Sequence, residues 1–306
     1  MNFSDKLVSA IEDKSPICVG IDPVVENIPN YIKENAVEEF GNTAEAVAAA
    51  FIEFSSAIIE ATYDLVPVIK PQLAFFENYG SYGIQAFEEI CQYAKSKDLL
   101  VIADAKRNDI GSTAKAYAQG FLGKSPLIQG DLNVNEVDAV TVNPYLGSDN
   151  ILPFLEEAQQ NNKGIFILVK TSNPSSGEIQ DLTVGDEMIH EKVAHLVNSW
   201  GQNILGKKGF SSVGAVVGAT YPEEAAYLRS IMPQQIFLVP GYGAQGGGAK
   251  DVKPCFTKEG QGAIINSSRG IIFAYKKNEK YSEKNFAEAA REAVLAMKED
   301  LRCVSL

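Results

Sequence analysis

A chain of 306 residues with 45% apolar and 22% charged side chains has the composition of an ordinary globular protein, which excludes disordered and collagen-like classes. Its 27 Lys+Arg against 39 Asp+Glu leave a net charge of −12, a field that repels nucleic acid and anionic membrane outside a local basic pocket, so neither is expected as a partner. The four cysteines, Cys18, Cys91, Cys255 and Cys303, show no C-x-x-C spacing, which argues against a zinc site or a disulfide framework and fits a reducing cytoplasm.

The first expected element is a short amphipathic helix over 4–13. Its acidic Asp5, Glu12 and Asp13 are the reverse of a signal peptide's basic start, and no run in the chain reaches the roughly 18 apolar residues of a membrane span. Beyond it, short apolar runs rich in β-branched residues alternate with segments whose apolar residues recur at three and four. In chain order these are strand PICVGID (16–22), helix 43–64, strand VPVIKPQ (66–72), helix 82–98, strand LLVIADAK (99–106) and a longer excursion over 121–137. Strand DAVTVNP (138–144), helix 149–162, strand GIFILVKTS (164–172), helix 185–206, strand SVGAVVGAT (212–220) and helix 222–232 follow. The chain closes with strands IFLVPGYG (236–243) and GAIINSSRG (262–270), a charged solvated loop over 276–284, and helix 283–301.

Eight continuous apolar strands separated by helices imply a parallel sheet covered on its outside. The expected fold is α/β, a single-domain (β/α)8 barrel over 1–306. An open doubly wound sheet would announce itself with G-x-G-x-x-G after the first strand, where GIDPVVENIP stands instead.

In such a barrel the chemistry sits at the C-terminal ends of the strands. Those ends carry Asp22 on the first, Lys70 on the second, Asp104 and Lys106 on the third, Asn143 on the fourth, Lys170 and Ser172 on the fifth, and Arg269 on the eighth. A period of two puts Asp104 and Lys106 on the face of Ile102, and Lys70 on the face of Val68. If those faces point inward, two ammonium groups and a carboxylate meet at the barrel mouth, where they must neutralise one another or a ligand. The glycine-rich PGYGAQGGGAKD and NSSRGI follow the seventh and eighth strands, where phosphate-binding barrels offer backbone N–H groups; Arg269 adds a bidentate donor. His190 and His195 lie five apart, do not match H-E-x-x-H, and read as surface or half-buried helix positions; Trp200 reads as core.

The D-x-K-x-x-D pattern in DAKRNDIGST, with GIDP, IKPQ, TSNPSS, PGYGAQGG and NSSRG, resembles the orotidine 5'-phosphate decarboxylase family, in its longer bacterial-type branch, over nearly the whole chain. The resemblance implies decarboxylation of orotidine 5'-phosphate to UMP and CO2, the last step of de novo pyrimidine nucleotide synthesis, with no metal or other cofactor. It implies a charged tetrad of Lys70, Asp104, Lys106 and Asp109, with Lys106 delivering the proton that replaces the lost carboxylate. Asp22 and Lys70 would contact ribose hydroxyls; Ser172, or its neighbours Thr171 or Asn173, the pyrimidine; Gln245 and Arg269, with Ser268 beside them, the phosphate end of the substrate. A homodimer is also implied, Asp109 and Thr113 reaching into the neighbouring subunit's site. Two further readings stay open at this point: a magnesium-dependent sugar-phosphate decarboxylase or epimerase of the same suprafamily, and a non-catalytic nucleotide-phosphate-binding barrel. The first would carry a carboxylate on the second strand as metal ligand, where this chain has Lys70.

Overall fold

The computed structural model describes residues 1–243 and 247–304. Eight parallel strands, β1 (Ile17–Ile21), β2 (Val68–Pro71), β3 (Leu100–Arg107), β4 (Ala139–Val142), β5 (Gly164–Lys170), β6 (Ser211–Val217), β7 (Gln235–Val239) and β8 (Ala263–Ser267), form its centre. Each pairs with its sequence neighbour, and β1 pairs with β8, so the sheet closes as expected and leaves no unpaired edge.

Alternation along the strands sorts two apolar sets. Cys18, Val68, Ile102, Ala139, Phe166, Val216, Leu238 and Ile264 pack together inside the barrel. Val19, Ile69, Val101, Val140, Ile165, Phe237 and Ile265 join the outer core under the helices. Helix α1 (Phe3–Asp13) plugs the N-terminal end: Phe3, Leu7 and Val8 belong to the inner set, and the Phe3 ring meets Phe166 edge-on at 6.0 Å. Its first turn is capped by the Asn2 side chain, and Asp5 accepts hydrogen bonds from the backbone N–H groups of Lys207 and Lys208, which ties the plug to the chain leading into β6.

The outer layer is built mainly from α2 (Asn30–Phe40), α3 (Ala44–Thr62), α4 (Leu73–Glu77), α5 (Gly80–Ser96), α6 (Gly111–Leu122) and α7 (Ser148–Asn161). It continues through α8 (Gly177–Gln180), α9 (Ile189–Gly201), α10 (Pro222–Ile231), α11 (Ala249–Val252), α12 (Arg269–Ile272) and α13 (Phe286–Leu301). Helices α2, α4, α6, α8, α11 and α12 were not among the expected elements. The buried stripe of α6 begins with two alanines, Ala114 and Ala118, between glycines at 111 and 120, so its apolar periodicity is faint.

Two segments differ from their sequence reading. The excursion over 121–137 starts as the end of α6 and continues as a small hairpin, Ser125–Pro126 against Asp131–Leu132. The helix expected over 185–206 begins only at Ile189, because Thr183–Val184 and Glu187–Met188 pair as a second hairpin around Gly185, whose φ of +70° suits the turn. The four cysteines are free, and among the described residues no helix is long and apolar enough to cross a membrane.

Candidate active site

The inward faces of β2 and β3 continue upward from Val68 and Ile102 to Lys70 and Asp104, as the period of two requires. There one carboxylate serves two ammonium groups. Lys70 Nζ donates to Asp104 Oδ2 at 2.5 Å and Lys106 Nζ to Asp104 Oδ1 at 2.6 Å. Thr141 Oγ1 donates to Oδ1 at 2.9 Å and Gln72 Nε2 to Oδ2 at 2.9 Å, so both oxygens of Asp104 are doubly satisfied.

Lys106 does not arrive by simple alternation. Ala103 pairs with Val140 but Arg107 pairs with Val142, so β3 carries two extra residues against β4. Within this bulge Lys106 has φ +47°, a left-handed conformation uncommon outside glycine, and its N–H donates to Thr141 Oγ1 at 3.0 Å. Thr141 thus holds both the backbone of Lys106 and the carboxylate that Lys106 pairs with. The side chain of Lys106 is 46% exposed against 7% for Lys70, so Lys106 is the ammonium that a ligand can reach.

Electrostatics keep the pair charged. Burial alone would raise the Asp104 carboxyl, but attraction to Lys70 and Lys106 and their hydrogen bonds outweigh it and hold the carboxyl far below the ordinary carboxylate range. Burial likewise works against the Lys70 ammonium, and Asp104 and Asp22 outweigh it and push it above the ordinary lysine range. One layer below, burial drives the Cys18 thiol up to about 12, so the floor of the site stays neutral.

Two adjoining cavities of about 210 and 200 Å3 share Lys70, Asp104 and Pro240. The first is lined by apolar Leu168, Val216 and Leu238 and by polar Thr171, Ser172 and Asn173. The second is polar, lined by Asp22, Gln72, Asn266, Ser268 and Arg269. Among the described residues, Asp22 Oδ1 and Asn266 Oδ1 are buried there without partners and Arg269 has no ion-pair partner. Gly20 permits this wall, since a Cβ on it would stand 1.9 Å from Ser268 Oγ. Lys70, Lys106 and Arg269 against Asp22 and Asp104 make the cleft net cationic in a chain of charge −12. A roomier hollow of about 650 Å3 beside Lys250, Lys253, Lys258 and Glu259 has only exposed charges, so buried charge rather than size distinguishes the cleft.

The remaining expectations divide. Ser268 and Ser172 line the cleft, and Gln245 lies outside the described residues. Asp109 and Thr113 line neither cavity: Asp109 Oδ1 accepts from Ile110 N–H, and Thr113 is exposed on the first turn of α6. Arg107 turns outward to Glu77, over the rings of Tyr117 and Phe121. Asn143 stays on the β4 loop, its side chain accepting from Tyr145 N–H. Lys170 turns away from the cleft to ion-pair with Asp181, because β5 slips register against β6 beside it. His190, expected at the surface or half-buried, is buried, its Nδ1 donating to Gln180 O at 2.8 Å. Gln72, Thr141 and Asn266 were missed by the sequence reading. Alternation from Ile264 to Asn266 and from Ala139 to Thr141 was the available signal.

The family model of the orotidine 5'-phosphate decarboxylase / HUMPS family matches residues 15–283. The chain belongs to this family. Within it, a protein of Rhodopirellula baltica named orotidine 5'-phosphate decarboxylase is 45% identical over 306 residues, covering 99% of both chains. Its counterpart of Caldicellulosiruptor bescii is 43% identical over 302 residues and 98% of both chains. Among solved structures, the OMP decarboxylase of Leishmania donovani superposes with a TM-score of 0.76 at 31% identity, over 99% of each chain.

The buried pair of this family member makes a stability prediction. A depressed carboxyl contributes stability that is present above its unfolded pKa and lost as pH falls through the folded one. A raised ammonium contributes stability that is present below its unfolded pKa and lost as pH rises through the folded one. Both contributions are therefore full and flat between about pH 5 and about pH 9. In that window Asp104→Asn strands the buried Lys70 charge and lowers the unfolding free energy by about 3 kcal/mol, read by urea denaturation at pH 7. Adding Lys70→Met recovers part of the loss; an unchanged urea midpoint for Asp104→Asn would contradict the assignment.

Proposed function

We propose that the cleft decarboxylates orotidine 5'-phosphate to UMP and CO2 by direct electrostatic and proton chemistry from its own side chains. The observation that carries this reading is the shared carboxylate of Asp104, with Lys70 and Lys106 each on one oxygen, standing where the apolar and the polar cavities meet. A pyrimidine fits the cavity of Leu168, Val216 and Leu238, and a ribose phosphate fits the one that ends at Arg269. Asp22 and Lys70 face the ribose hydroxyls, Ser172 the base, and Arg269 and Ser268 the phosphate.

When the C6–carboxylate bond breaks, CO2 leaves and its bonding electron pair stays on C6. The Lys106 ammonium beside that carbon stabilises the developing charge more than it stabilises the substrate, and then transfers a proton to C6. The product is UMP and Lys106 is left neutral until solvent reprotonates it. Asp104 keeps both lysines in place throughout, and phosphate binding at the far end supplies energy that orients the base.

A magnesium-dependent reaction of the same suprafamily fits less well. A divalent ion would have to displace ammonium groups from both oxygens of Asp104, and Lys70 adds a positive charge where a ligand would have to be acidic.

The reading includes a homodimer. Of twenty large apolar side chains exposed among the described residues, thirteen lie between Ile110 and Met188, among them Ile110, Leu127, Ile128, Leu132 and Tyr145. A second copy covering part of this segment would bury such side chains and bring its Asp109 and Thr113 toward the ribose. Asp109 has no role in its own chain's cleft, which supports this placement.

In an assay following the fall in orotidine 5'-phosphate absorbance, wild-type turnover persists in excess EDTA. Lys106→Ala lowers kcat by about 10^3-fold or more while UMP still binds. Turnover abolished by EDTA and restored by magnesium, or near-normal turnover by Lys106→Ala, would refute the mechanism. For the shared site, mixing inactive Lys106→Ala and Asp109→Ala chains yields hybrid dimers with one intact site and restores activity; confirmed exchange without recovery would refute it.

A further inference from the structure

We propose that Gln180, which lines neither half of the cleft, is a positioning residue that sets the hydrogen-bond polarity of the pyrimidine wall and thereby its preference for a base presenting a carbonyl oxygen. The inference rests on the decarboxylase reading above and deepens it.

One backbone group at this wall can only donate. Thr171 N–H is held by Gln180 Oε1 at 2.9 Å, which turns the other end of the carboxamide, Nε2, onto Thr171 Oγ1 at 2.7 Å. A hydroxyl has a single proton, and with a donor already aimed at its oxygen Thr171 gives that proton to Asn173 Oδ1 at 2.6 Å. The carbonyl end of Asn173 is thereby occupied, and the two N–H donors of its Nδ2 are what remains for a ligand. Asn173 lines the cavity beside Ser172. Polarity thus runs in one direction, from a backbone N–H through Gln180 and Thr171 to an amide donor at the wall.

The device is anchored from behind. Gln180 closes α8, and its carbonyl oxygen accepts from His190 Nδ1 at 2.8 Å, which fixes the proton on that ring nitrogen. The next residue, Asp181, takes the ammonium of Lys170, whose side chain is 1% exposed and lies 4.6 Å from the centre of the Tyr221 ring. On the other side β6 ends at Val217 and is followed by Gly218, where a Cβ would come within 3.0 Å of Ser172, so the wall is backed directly by main chain. A wall donor suits the carbonyl edge of uracil or orotate and opposes the amino group of cytosine.

Gln180→Glu tests this with little change of shape. The carboxylate still accepts from Thr171 N–H but cannot donate, so the Thr171 proton turns to it and Asn173 loses its fixed orientation. KM for orotidine 5'-phosphate rises about tenfold with kcat within about threefold, and UMP inhibits about tenfold more weakly while CMP changes little. Thr171→Ser keeps the UMP-over-CMP preference of the wild type and Thr171→Val loses it. The proposal is overturned if Gln180→Glu leaves KM and that preference within twofold of wild type, or if Thr171→Val behaves as Thr171→Ser. An equal collapse of kcat with a lowered melting temperature would mark Gln180 as merely structural and overturn it as well. A wild type that neither turns over orotidine 5'-phosphate nor binds UMP removes the decarboxylase reading itself, whereas an active wild type with an unaltered Gln180→Glu removes only the role of Gln180.

Discussion

Asp104 gives one oxygen to Lys70 and the other to Lys106, at the point where the packed interior of the barrel gives way to the cleft. A buried ammonium without a counter-charge would be costly enough to neutralise or unfold the site, and a buried carboxylate equally so. Everything around the pair removes that cost. Gln72 and Thr141 complete the oxygens of Asp104, the closed barrel sets β2 beside β3, and the β3 bulge lifts Lys106 until its ammonium returns to the carboxylate from the solvent side. The left-handed backbone of Lys106 is tolerated because Thr141 holds its N–H.

The same arrangement explains why the two lysines differ in use. Lys70, buried and held on one side, is a fixed charge; Lys106, half-exposed and bonded through one of its three donors, can turn the others on a ligand. At the far end the polarity is reversed in the sense that groups there are left open. Among the described residues, Asp22 and Asn266 present oxygens with no partner and Arg269 presents a guanidinium with no ion-pair partner. Charged and bonded at the reacting end, open at the binding end, the cleft can take its binding energy from the ribose phosphate and leave the geometry near C6 undisturbed.

Much of this was legible in the sequence because strands are periodic. Val68 and Ile102 are apolar and inward, so Lys70 and Asp104 had to follow them, and eight continuous apolar runs admit few architectures besides the closed barrel. Periodicity failed where a strand stops being regular. Lys106 reaches Asp104 through a bulge rather than alternation, and Lys170 leaves the cleft because β5 slips against β6 and Asp181, eleven residues on, captures it. Asn266 and Thr141 sit on readable inward positions but carry no charge, so nothing in their residue type set them apart as site residues. Gln180 could not be read at all: its importance lies in a contact across a loop whose path is set by a hairpin and by His190. The proposed homodimer draws support from the exposed apolar side chains between Ile110 and Met188, which can be recognised as uncovered only in the fold.

The central claim is that one charged carboxylate orients a proton donor at C6 while the phosphate is held at the opposite end of the same cleft. A crystal structure of the chain with UMP bound tests it most directly. The account predicts the phosphate against Arg269 and Ser268, the pyrimidine between Leu168 and Ser172, and C6 about 3.5 Å from Lys106 Nζ, with Asp109 of the partner subunit closing the ribose side. A nucleotide bound with its phosphate elsewhere, or with C6 turned away from Lys106 while the Asp104 clamp stays intact, would contradict it.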